Sequence, residues 1–175
     1  MLGCATRGGL CCGIRLGGEV DGQYGWREPV YRRVDLEDLA AIAALEVEIF
    51  PDKPHLHVML RQLFELHGEH WLVVELDGML IGYALALVRD ARSLLFTYGV
   101  LGPFRNHGFG RALLDHSMRC CFEAGAQEMV LTVRPDNQPA FNIFKSANFQ
   151  SVAYDDHYFG QGEPRRVMKR RLGHG

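Results

Sequence analysis

The stretch Leu94-Leu-Phe-Thr-Tyr-Gly-Val-Leu-Gly-Pro-Phe-Arg-Asn-His-Gly-Phe-Gly-Arg-Ala-Leu-Leu114 decides the fold. Leu94 to Val100 is apolar and β-prone, and the tract that follows is punctuated by Gly, Pro and Asn. Phe109, Leu113, Ser117, Cys120, Cys121 and Ala124 then recur at helical spacing up to Gly125. The reading is a strand, a short loop and a long helix. At the centre of the loop stands Arg105-x-x-Gly108-x-Gly110. Amides from His107 to Arg111 lie where a helix start turns its N–H groups outward, and glycines at 108 and 110 carry no Cβ to hold a phosphate away. A diphosphate suits such a mouth. Arg105 and Arg111 either add the bidentate positive charge that phosphate oxygens accept or stand as solvated surface arginines. Two other nucleotide loops do not fit. A Walker A loop needs Gly-x-x-x-x-Gly-Lys-Ser/Thr, and the dinucleotide fingerprint needs a third glycine where this chain has Leu113.

Upstream, Pro29 to Val34 reads as a strand. Asp35 is a helix N-cap, with Glu37 and Asp38 in the first turn ahead of a helix over Leu39 to Phe50. Pro51 and Pro54 break it, and Leu56, Met59, Leu60, Leu63 and Phe64 give a second helix stopped by Gly68. His70 to Leu76 and Met79 to Arg89 flank Asp77-Gly78, the dipeptide of a tight primed hairpin. Downstream come a strand over Glu128 to Val133, a helix over Asn137 to Ala147, and strands over Phe149 to Tyr154 and Arg166 to Leu172. A meander combined with strand-helix-strand crossovers implies an α/β (α+β) fold: a mixed, mostly antiparallel sheet of seven strands flanked by about four helices.

Composition sets the outer bounds. With 175 residues, 47% hydrophobic and 23% charged, the chain can bury one core. A formal charge of −2 and a pI near 6.4 give no footprint for nucleic acid or an anionic membrane. The apolar run Leu80 to Val88 is far short of the roughly 20 residues that span a bilayer. Met1 to Gly18 lacks the core of a secretory signal, so a cytoplasmic protein with reduced thiols is expected. Five cysteines, two pairs of them adjacent, do not make a disulfide framework, and no Cys or His cluster completes zinc-finger spacing with Cys4, Cys11 and Cys12. Cys120 and Cys121 read as small core residues. Eight glycines in residues 1–26 mark that segment as a flexible arm ahead of one domain over 27–175.

Arg105, Gly108 and Gly110 match the acetyl-CoA signature Arg/Gln-x-x-Gly-x-Gly/Ala, and the chain resembles the GNAT acetyltransferase superfamily. A second family block, Asn-x-x-Ala-x-x-x-Tyr-x-x-x-Gly-Phe, is met by Asn137, Ala140, Phe144, Asn148 and Phe149. The resemblance covers about Val30 to Leu172. It implies acetyl-CoA as cosubstrate, with no metal, and a primary amine of a small molecule or peptide as acceptor. It places Tyr98, Val100, Arg105, Asn106, His107, Gly108, Phe109, Gly110, Arg111, Asn137, Ala140 and Phe144 around the cofactor. The Val100 backbone would meet the acetyl carbonyl, Asn137 the pantetheine arm and Phe144 the sulfur. Asn137 also reads as a helix N-cap.

The catalytic positions depart from the pattern. The family's usual acid is a tyrosine where this chain has Phe144. In the ribosomal-protein alanine acetyltransferases that it resembles in layout, a glutamate base aligns with Thr132. Neither side chain here can take that part. Tyr154 and Tyr158, within Tyr154-Asp-Asp-His-Tyr158, are the substitute acids expected from sequence, against a plain reading as strand-end aromatics. Glu46, Glu48, Asp52, His55 and His57 surround the first helix break, where acceptor recognition is expected, or else form a solvated helix end. The basic run Arg165 to Arg171 reads as a final strand with solvated charges. Three further alternatives stay open: acetylation of a protein N-terminus, a catalytically silent acyl-CoA-binding module, and a homodimer.

Overall fold

Hydrophobic alternation places seven strands in one sheet, and the computed structural model describes residues 28–173 except 53. The strands are β1 (Val30–Arg33), β2 (Leu72–Leu76), β3 (Met79–Arg89), β4 (Arg92–Val100), β5 (Glu128–Val133), β6 (Gln150–Asp155) and β7 (Arg165–Arg171). Their order is β1-β2-β3-β4-β5-β7-β6, antiparallel except between β4 and β5. The helices are α1 (Leu39–Ile49), α2 (His57–His67), α3 (Phe109–Glu123) and α4 (Gln138–Ser146). Because α3 carries the chain from β4 to β5, those two strands run parallel, as a helical crossover requires. The arm expected over residues 1–26, with Cys4, Cys11 and Cys12, lies outside the described residues.

Each face of the sheet holds its own core. Leu72, Val74, Ile81, Leu95, Met129, Leu131, Val133 and Met168 pack against α3 and α4. Val73, Tyr83, Leu85 and Trp71 pack against Leu39, Ile42 and Leu45 of α1 and Leu60 of α2. Alternate residues of β2 therefore serve opposite cores, which explains why that strand is buried on both sides. The Asp77-Gly78 turn forms as expected, both residues at positive φ (51° and 82°), and pairs Leu76 with Met79.

The α3 stripe differs from its sequence reading. Leu114 and Met118 are buried with Phe109, Leu113, Ser117 and Cys121, while Cys120 is half-buried and Ala124 exposed. The helix is rotated so that bulkier side chains fill the space above the sheet. Burial pushes the Cys121 thiol up to about 12, which keeps it an inert core group. Gly68–His70 forms a 3-10 turn, so β2 starts at Leu72 rather than at residue 70.

Asp35 and Asp38 shape the entry to α1 through a short 3-10 turn over Leu36–Asp38 instead of extending the helix. The Asp38 carboxylate takes two bonds from Arg32, at 2.6 and 2.9 Å, and one from the Asp35 N–H at 2.8 Å. Arg32 also reaches Glu75 at 3.2 Å. The Arg32 guanidinium holds the Asp38 carboxyl below its ordinary value. Its pairing thus stabilises the fold above the ordinary carboxylate pKa, and that contribution fades as pH falls below it. Asp38→Asn is expected to cost about 1–2 kcal/mol at pH 7. The gap from wild type in urea melts should close as pH falls from about 4 towards 2.

Candidate active site

Two strands that part company open the site. Parallel pairing joins Arg92–Leu95 to Glu128–Leu131 and stops there, although β4 continues to Val100 and β5 to Val133. The cause is local. Leu85 faces Thr97 while Ala86 faces Leu95, so Phe96 is the extra residue of a β-bulge immediately after the last β4–β5 pair. A bulge bends its strand, and here it turns β4 away from β5. Leu101 N–H bonds the Ile81 carbonyl at 2.9 Å, and adjacent strand residues address opposite edges. Val100 therefore directs its backbone into the opening, and its carbonyl accepts from Arg105 Nε at 2.9 Å.

Arg105 thereby ties the loop to the end of β4. The loop bends through Asn106 (φ 65°) and Gly108 (φ 85°), both left-handed, and successive N–H groups in such turns form anion-binding concavities. Regular α3 bonding begins with Ala112 N–H on Gly108 O at 3.0 Å. A Cβ on Gly108 would meet nothing within 4 Å among the described residues, which leave the mouth open in that direction. Gly110 has a further reason to be glycine. A Cβ there would stand 2.5 Å from Tyr98 Oη, which is buried and has no hydrogen-bond partner among the described residues. Gly110→Ala should lower stability by about 1–3 kcal/mol through overpacking. In the Tyr98→Phe background the oxygen is gone, so the same change should cost distinctly less, and a double-mutant cycle by chemical denaturation measures the difference.

Arg111 is engaged elsewhere. Its Nε bonds Asp115 at 3.0 and 3.2 Å and its Nη1 reaches Ser146 Oγ at 3.2 Å, so the side chain links α3 to the end of α4. Its helix-start amide still belongs to the mouth. Asn106 and His107 are exposed beside it, and the His107 ring tilts against Phe109, 6.2 Å between centroids. Asn137 caps α4, accepting from Ala140 N–H at 3.2 Å. A carboxamide also carries two N–H donors, so capping and ligand binding are compatible. Phe144 is buried against Tyr98 and Phe149, 5.8 and 5.9 Å between centroids. These residues fit coenzyme A: a helix mouth for its diphosphate, and the backbone of β4 for its arm.

The opposite face of the sheet lies under α1 and α2. Leu131 and Val133 enter the α3/α4 core, so Thr132 between them faces the α1/α2 side. Glu46, expected near the surface, is fully buried. Its carboxylate accepts from Thr97 Oγ1 at 2.8 Å and from the His55 N–H at 3.0 Å, fastening the α1–α2 loop to β4. The His55 ring stacks on Phe96, 4.5 Å between centroids. Sequence reasoning left Glu46 between acceptor recognition and a solvated helix end, because a hydroxyl partner 51 residues away on β4 leaves no local signal.

The two expected acids lie on β6 and in the connection that follows it. Tyr154 is exposed on the edge strand β6, in register with Arg166 and through it with Val133, on the face that carries α4. The Arg166 guanidinium lies 6.0 Å from its ring. Tyr158 packs edge-on against Phe159 in the β6–β7 connection. Arg134 follows β5 and pairs with Asp136 at 2.9 Å.

Residues 36–149 match the acetyltransferase (GNAT) family. An N-alpha-acetyltransferase of Sulfolobus acidocaldarius is 28% identical over 152 residues, covering 78% of this chain and 89% of that one. The crystal structure of Ard1 from Thermoplasma volcanium superposes with a TM-score of 0.77 at 20% identity, covering 83% of this chain and 99% of that one. The ribosomal-protein-S18-alanine N-acetyltransferase of Escherichia coli superposes with a TM-score of 0.73 at 21% identity, covering 85% and 96%. With the parted strands, the glycine-bearing helix mouth and the family match in agreement, the chain belongs to the acetyltransferase (GNAT) family and is an acetyl-CoA-dependent N-acetyltransferase.

Proposed function

We propose that the protein moves the acetyl group of acetyl-CoA directly onto the primary amine of a peptide or small molecule, in the cytoplasm and within a ternary complex. The observation that carries this reading is the opening between β4 and β5, with the Val100 backbone directed into it beside the α3 mouth. An amide N–H fixed in a strand is a preorganised donor for the oxygen of the acetyl carbonyl as charge develops there. The helix mouth, with the amides of Gly108 to Arg111, holds the diphosphate. No acyl-enzyme is needed. Both reactants lie in one cleft, and juxtaposition alone supplies a large part of the rate. The departing thiol has an ordinary pKa near 8.5, so it leaves as thiolate without a proton from Phe144.

A second reading, transfer to a protein N-terminus, is favoured by the rim. Leu56 and Val58 at the start of α2 and Tyr158 and Phe159 in the β6–β7 connection are exposed apolar side chains. A peptide would lie across such a rim, whereas a small amine would use only its centre. Release of free thiol from acetyl-CoA, followed with small amines, polyamines, aminoglycosides and N-terminal peptides, separates the readings. Turnover confined to peptides supports the second reading. Tight acetyl-CoA binding with no turnover on any amine overturns transfer and leaves a silent acyl-CoA-binding module.

A further inference from the structure

We propose that His55 is the base that receives the amine proton, in place of the glutamate for which this chain has Thr132. This rests on the transfer reading above. Phe96 is the bulged residue at the point where β4 leaves β5, and the His55 ring lies flat on it, at a 24° interplanar angle and 4.5 Å between centroids. The imidazole therefore sits at the opening, on the face that Thr132 also addresses from β5. It is held there from behind: its backbone N–H donates to Glu46, whose other oxygen is fixed by Thr97 of β4. His55 is half-buried, so it is not sealed from substrate.

The titratable and charged groups on the elements around it are Glu46 of α1, Tyr83 of β3, Asp52 in the loop, His57 at the start of α2 and Arg134 at the end of β5. Glu46 is turned inward, and burial and the Glu46 charge push the Tyr83 phenol up, so it stays protonated. Of these groups, His55 is the one whose ring the bulge orients. In the step proposed, the amine nitrogen's lone pair forms the C–N bond to the acetyl carbonyl carbon. The C–S bond breaks, and its electron pair leaves with the thiolate of coenzyme A. The proton lost by the nitrogen passes to the imidazole, directly or through one water, and then to solvent.

The test compares wild type, His55→Phe and His55→Gln on the amine with the highest turnover in the thiol-release panel, with acetyl-CoA affinity measured by calorimetry. Phe keeps the stack on Phe96 and removes the proton acceptor. Gln covers the case in which Phe fails to fold. The expected result is a fall in kcat/KM of about 100-fold in both variants, with acetyl-CoA affinity unchanged. Adding Thr132→Glu to either variant should recover at least tenfold by placing a carboxylate across the same opening. Activity of His55→Phe within threefold of wild type overturns the proposal, as does a loss that Thr132→Glu does not recover in either variant. A wild type inert on every amine removes the transfer reading itself, and this proposal with it.

Discussion

Gly108→Asp is expected to weaken acetyl-CoA binding about 100-fold while leaving the protein folded. The position is left-handed at φ 85°, where a Cβ would meet nothing within 4 Å, so the backbone strain of a side chain is the only local steric cost. Asp and Asn both tolerate that conformation at roughly 1 kcal/mol, as Asn106 does two residues earlier at φ 65°. The difference between the two replacements is therefore charge. A carboxylate about 4 Å from a diphosphate is opposed by about 1 kcal/mol per charge pair in water and about 4 kcal/mol at the dielectric of a protein surface. Two phosphate charges at an exposed helix mouth fall between those limits, which sets the hundredfold expectation. Gly108→Asn should lose much less, and isothermal calorimetry on the pair reads the electrostatic part alone. Equal affinities for the Asp and Asn variants would place the diphosphate away from this mouth.

The strength of that expectation reflects how the two halves of the site were written in the chain. The cofactor half is local: strand, loop and helix follow one another from Leu94 to Leu114, and glycine positions and helix starts have short-range sequence signals. Even there, Gly110 turned out to serve Tyr98, because a contact between residues twelve apart leaves no trace in spacing. Asp77-Gly78 was equally legible, since two consecutive left-handed residues belong to one kind of turn. The half proposed to take the acceptor is not local. The bulge at Phe96 depends on how β4 is shared between an antiparallel and a parallel neighbour, and neither register can be read from β4 alone. Glu46 and Thr97 are 51 residues apart, so their bond could be known only once α1 lay on the sheet. Tyr154 looked like an acid by residue type, and strand alternation then put it in the row of Val133 rather than that of Thr132.

Glu46→Ala should be the most damaging change on the acceptor side, lowering stability by about 3 kcal/mol. The carboxylate is fully buried, and its removal leaves the Thr97 hydroxyl and the His55 N–H without their partner in a space that water does not reach freely. Each orphaned group costs about 1–3 kcal/mol, and the cavity adds to it. For a chain of this length the melting temperature should drop by roughly 10 °C. Glu46→Gln behaves differently. Its carbonyl oxygen can accept from the His55 N–H while its NH2 donates to Thr97 Oγ1, because a hydroxyl accepts as well as donates. Both partners stay satisfied, so the Gln variant should melt close to wild type and retain amine turnover. The Ala variant should lose turnover more steeply than acetyl-CoA binding even well below its melting temperature, since the loop that carries His55 is no longer fastened to β4 while the α3 mouth is untouched. Calorimetric melts together with kcat and cofactor affinity for the two variants decide it: a Gln variant as unstable as the Ala variant would mean that the buried charge, rather than hydrogen-bond satisfaction, holds the two faces of the site in register.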